Sequence, residues 1–220
     1  MMKQFVVVGL GRFGSSLAET LAEKDFDVLA IDIDEEIVQN MSSIVTHAVE
    51  ADATDEEALK TLGVRNFDVA VVSIGDDIHS NILATLILKE LGVPYVVVKA
   101  QNKLHGKILK KVGADRVVYP ERDMGTRIAH NLISSNVLDY IEFAKDYSIV
   151  EIIATPNMVG NSLADLELRT RFGVNVMAIK RGKELNVTPG ANDRILEGDV
   201  LVVMGKNKDL DAVKELWGGF

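Results

Sequence analysis

Three glycines and one acid carry the clearest chemistry in this sequence. Val6-Val7-Val8 leads into Gly9-Leu10-Gly11-Arg12-Phe13-Gly14, a G-x-G-x-x-G pattern set between an apolar β-branched run and a helical stretch. In that setting Gly9 permits a tight turn, Gly11 lets the backbone approach a pyrophosphate, and Gly14 lets helix and strand pack closely. The helix N-terminus then offers free N–H groups and a positive dipole end to phosphate oxygens. Asp32 closes the next apolar run, Leu29-Ala30-Ile31. An acid there accepts from both ribose hydroxyls and repels a 2′-phosphate, which disfavours NADP. Asp34 is a second acid at this strand end, and it also suits a helix N-cap. Arg12, beside Phe13 in the loop, can clamp a further phosphate and tilts the ligand towards ATP or ADP. Its competing reading is an arginine that covers the helix and reaches solvent.

The elements that must position these residues follow one grammar. Short β-branched runs at Phe5–Val8, Val28–Ile31, Val69–Ile74, Val96–Val98 and Val117–Tyr119, with a weaker one near His47–Val49, read as buried parallel strands. Amphipathic stretches at Ser15–Leu21, Glu35–Met41, Asp55–Leu62, Asp76–Leu91 and Lys103–Val112 fill the gaps as helices. Alternation of this kind predicts an α/β fold: a doubly wound parallel-sheet Rossmann domain over 1–120. Ligands bind outside the carboxyl ends of such strands. Asp52-Ala53-Thr54 would then lie near adenine, with Ser73-Ile74-Gly75 and Lys99-Ala100 completing the crevice.

From Pro120 to about Phe143 the spacing of Met124, Ile128, Leu132, Ile133, Val137 and Ile141 predicts one long helix. With no sheet left to cover, it would cross to another subunit, which suggests a dimer, or cap its own sheet. Residues 121–144 are therefore read as a crossover or interface helix. Residues 145–220 predict a second, smaller α+β domain. Its strands are Ile149–Ala154, Val174–Ile179, Glu184–Val187 and Val200–Met204, with helices at Ser162–Arg169 and Asp209–Leu216. So small a unit gains from oligomerisation.

Composition narrows the classes of function. The 220 residues contain no cysteine, which excludes disulfide scaffolds, thiolate-held metals and thiol nucleophiles. Net charge is −9, so nucleic acid is an unsuitable partner. Lys99, Lys103, Lys107, Lys110, Lys111 and Arg116 depart from that trend, as either a solvated helix face or an anion-facing one. No apolar run approaches the roughly 20 residues of a membrane span, and the protein reads as soluble and cytoplasmic.

An enzyme is harder to find. Tyr95 and Lys99 match Y-x-x-x-K, but that pairing works on a helix, and here the segment reads as strand. The histidines (His47, His79, His105 and His130) are scattered. A nucleotide-binding regulatory module explains the chain better than the alternative, an NAD-dependent oxidoreductase.

The motifs together resemble a family. Gly9-Leu-Gly-Arg-Phe-Gly14, Asp32, Asp52-Ala-Thr54, Lys99-Ala-Gln-Asn102, Gly113-Ala-Asp115 and Pro120-Glu-Arg-Asp-Met124 are similar to the RCK/KTN regulatory subunits of Ktr-type potassium uptake systems. Leu166-Glu-Leu-Arg-Thr-Arg-Phe-Gly173 and Ile195-Leu-Glu-Gly-Asp-Val-Leu201 resemble that family's smaller RCK_C domain. The resemblance implies a homodimer built into a cytosolic octameric ring. That ring would dock peripherally on a membrane potassium-translocating subunit, with ATP activating and ADP inactivating and NAD(H) as another ligand. It further implies that Arg12 approaches the γ-phosphate and Asp32 holds the ribose. Glu121 would contribute to a divalent or monovalent cation site at the dimer interface. Cyclic di-AMP would bind between RCK_C protomers at Arg169, Asn175, Val176 and Pro189.

Overall fold

The computed structural model describes residues 3–133 and 137–216. The side chains of His130 and Ile133 lie outside that description. The chain divides into two compact units, 1–120 and 121–220.

In the first unit, β1 (Gln4–Val8), α1 (Arg12–Ala22), β2 (Asp27–Asp32), α2 (Glu35–Met41), β3 (His47–Glu50) and α3 (Glu56–Thr61) form the first half. The second half is β4 (Val69–Val72), α4 (Ile78–Glu90), β5 (Tyr95–Lys99), α5 (Lys103–Val112) and β6 (Arg116–Val118). All strand pairs are parallel, in the order β3-β2-β1-β4-β5-β6. Both faces are covered. Val6 and Val8 join Leu59, Leu88 and Leu109 in one core, while Val7 packs with Ala18, Val38 and Met41 in the other. Burial on both faces explains why these strands read as unbroken apolar runs instead of alternating ones. The order reverses between β1 and β4, which places a crevice at their carboxyl ends.

The second unit contains α6 (Pro120–Ile133, whose first residue ends the first unit), β7 (Val137–Ala144), β8 (Tyr147–Ile153), α7 (Leu163–Leu166), α8 (Leu168–Phe172), β9 (Asn175–Arg181), β10 (Glu184–Asn186), β11 (Val200–Lys206) and α9 (Asn207–Leu216). Its antiparallel sheet has the order β10-β9-β11-β8-β7. Val150, Ile152, Leu201, Val203, Leu168 and Leu210 make its core.

Two sequence expectations fail here. The long helix to Phe143 does not exist: α6 ends at Ile133 and Val137–Ala144 is a strand, paired with β8. Its apolar residues fit either period, and hairpin pairing decides for the strand. The turn-forming types Ser134-Ser135-Asn136 were the available signal; those three positions lie outside the described residues. The helix expected over Ser162–Arg169 is two short ones, separated by Glu167 at φ +48°.

Candidate functional site

The glycine turn is built as its chemistry requires. Gly9 has φ +87°, and a Cβ on it would stand 2.8 Å from the Ile74 backbone nitrogen. A Cβ on Gly14 would collide with the Gly9 carbonyl and the Ser73 hydroxyl, so α1 can lie this close to β1 only without one. Gly11 differs from both. Its φ is −64°, and a Cβ there would meet nothing within 4 Å. No protein contact demands glycine at Gly11, and the space above it is what an approaching pyrophosphate would fill. Arg12 opens α1 and is exposed, with Phe13 half-buried behind it.

The acids sort into different roles. Asp32 accepts from the Leu10 N–H at 2.5 Å through Oδ2 and from the Asp34 N–H at 3.0 Å through Oδ1. It therefore clips the glycine turn to the end of β2, and each oxygen keeps a lone pair for a ribose hydroxyl. Asp34 caps α2, accepting from the backbone of Glu36 and Ile37. Asp52 shapes its own turn by accepting from the Thr54 N–H and hydroxyl at 2.8 and 2.7 Å. Ala53 is turned into the core, which leaves only its backbone for a ligand.

At the ends of β4 and β5, Ile74, Gly75 and Lys99 come together. The Lys99 ammonium lies 3.5 Å from where a Cβ on Gly75 would stand. Two residues hold this region: Ser73, expected with Ile74-Gly75 at a strand end of the crevice, and Asn81, which sequence reasoning missed. Ser73, buried at the end of β4, donates its hydroxyl to the Gly9 carbonyl. Asn81 is fully buried on α4 and donates to the Ile74 carbonyl. Asn81 belongs to no motif, and no sequence signal marks it. The remaining lysines of the basic stretch form the exposed face of α5.

Other candidate positions lie in the second unit. Arg169 and Asn175 are exposed, and Val176 and Pro189 are half-buried. Arg169 lies on α8 and Asn175 opens β9, so these two flank the short turn through Gly173. Glu121 is in the first turn of α6. Among the described residues no group of three or more His, Asp or Glu can hold a metal ion. The described residues of one chain do not gather such a group around Glu121. Tyr95 and Lys99 both lie on β5, where residues four apart are separated by about 13 Å, so the dehydrogenase pairing does not form.

Comparison with known proteins adds the family. The TrkA-N domain model matches residues 5–120 and the TrkA-C domain model residues 147–218. The chain belongs to the RCK/KTN family. It is 52% identical over 215 residues to Ktr system potassium uptake protein C of Bacillus subtilis, covering 98% of this chain and 97% of that protein. Ktr system potassium uptake protein A of the same organism is 48% identical over 208 residues, 94% of each. A structure of the GsuK channel bound to NAD shares the fold, with TM-score 0.69 and 18% identity over 99% of this chain and 40% of that one.

Proposed function

We propose that this chain is the nucleotide-sensing regulatory subunit of a membrane potassium uptake system, acting from the cytosol on a separate potassium-translocating subunit. The observation that carries the reading is the empty approach over Gly11, beside the anchored Asp32 and the exposed Arg12. In that crevice Asp32 orients the ribose, the N-terminus of α1 receives the pyrophosphate, and Arg12 reads a further phosphate. ATP and ADP differ by that one group, so a ligand-dependent change of state needs a residue that contacts it. ATP activates and ADP inactivates in this account, and NAD(H) competes for the same crevice.

Assembly supports the reading. Met124, Ile128 and Leu132 form an exposed stripe along α6, with Leu132 80% exposed, and the apolar stripe of one copy suits that of another. A homodimer built into an octameric ring would bury it. Glu121 would enter a cation site only with donors from a second copy. The second unit would take cyclic di-AMP between two copies, with Arg169 meeting phosphate and Val176 and Pro189 flanking adenine.

Potassium uptake by vesicles that carry the membrane subunit tests this directly. Adding the chain with ATP raises uptake and adding it with ADP does not, and Arg12→Ala removes the difference. Equal uptake with ATP and ADP for the unaltered chain would reject the reading.

A further inference from the structure

The fully buried Asn81 is hard to explain as a core residue. Its Nδ2 donates to the Ile74 carbonyl at 2.7 Å and to the Lys99 carbonyl at 3.3 Å. Both partners are acceptors, so the amide has only one workable orientation. Its Oδ1 is buried with no hydrogen-bond partner. An apolar side chain would avoid that cost but would leave the Ile74 and Lys99 carbonyls without this donor, so the asparagine is explained by the two carbonyls it holds.

What Asn81 joins is specific. Ile74 leads out of β4 and Lys99 ends β5, so one side chain on α4 spans the two strand ends that border the second half of the crevice. A second stitch runs between the same two loops, from the Gln101 side-chain amide to the Gly75 carbonyl. Ser73, next to Ile74, ties the same segment to the Gly9 carbonyl. Gly9, Ile74 and Lys99 are thus tied by the hydrogen bonds of Ser73 and Asn81, which meet at the Ser73–Ile74 peptide bond.

We propose that Asn81 is a positioning residue of the nucleotide crevice, fixing the separation of the β4 and β5 ends so that Gly75 and Lys99 meet the ligand in one geometry. This rests on the nucleotide reading above. Asn81 touches no ligand itself; it acts through the carbonyls it holds.

Two variants of the full chain test it, Asn81→Asp and Asn81→Leu, with Leu59→Ala on α3 as a core control. Backbone amide exchange over 73–77 and 99–102, and affinity for ADP by calorimetry, are read at pH 8 and pH 6 as ratios to the unaltered chain. Both Asn81 variants speed exchange in these two segments, and both weaken ADP by about tenfold at pH 8. Asn81→Asp recovers part of the loss at pH 6, because a buried carboxyl protonates early and then donates to one carbonyl. Asn81→Leu shows no such recovery. Exchange that rises evenly across the unit, as it does for Leu59→Ala, or ADP affinity that stays unchanged, overturns the proposal. If the unaltered chain binds no ADP, the nucleotide reading fails, and local or even exchange still decides whether Asn81 sets the two strand ends.

Discussion

Arg12 is the single side chain on which discrimination of a further phosphate rests. The guanidinium opens α1 beside Gly11 and is exposed, so its removal leaves no buried group unpaired. Arg12→Ala is expected to lower ATP affinity about tenfold while leaving ADP affinity within twofold, measured by calorimetry. The stability of the fold should not change. Asp32 was legible from the sequence as the acid closing β2, but its grip on the Leu10 N–H was not, because that bond exists only once β1 and β2 are paired. Ser73 shows the same limit. Its place at a strand end was legible, but its hydroxyl finds the Gly9 carbonyl 64 residues away. Ser73→Ala is expected to cost about 1 kcal/mol in denaturant unfolding.

Among the elements, the parallel strands were legible because burial on both faces forces continuous β-branched runs. The stretch after α6 was not, because Val137 and Ile141, four apart, satisfy helix and strand periods alike and only the pairing of β7 with β8 decides. In that second unit a buried ion pair contributes to the pH response. Asp199 is fully buried and accepts from the Arg181 guanidinium at 2.8 and 2.7 Å and from the Leu196 N–H at 2.8 Å. The Arg181 hydrogen bonds hold its carboxyl below the ordinary 3.8, against the opposing effect of burial. A depressed folded value stabilises above the unfolded pKa, and the contribution is lost as pH falls through the folded one. The unaltered unit therefore loses stability below about pH 4. Arg181→Leu strands a buried carboxylate, so its thermal midpoint at pH 7 falls and then rises on mild acidification as Asp199 takes up a proton. A variant whose midpoint simply tracks the unaltered chain from pH 7 to pH 5 would contradict this.

For the whole molecule, the family and the two-unit plan were legible in the motifs, whereas the partners are not written in any one chain. Exposed Leu132, Phe143, Leu185 and Val187, each 58% exposed or more, leave apolar surface that a second copy would cover. Light scattering should give a multiple of the 24.1 kDa chain, with a thermal midpoint that rises with concentration. A strictly monomeric chain at micromolar concentration would count against the ring.

Gly11 offers the most direct measurement of the central claim. Because a Cβ there meets no protein atom and φ is already ordinary, Gly11→Ala should fold with unchanged or slightly raised stability. The same methyl group stands where a pyrophosphate would approach. Calorimetric titration of the unaltered chain and of Gly11→Ala with ADP, alongside their thermal midpoints, separates fold from function. The midpoint of Gly11→Ala should be close to that of the unaltered chain while ADP affinity falls tenfold or more; a well-folded Gly11→Ala that binds ADP as tightly as the unaltered chain would contradict a nucleotide site over Gly11.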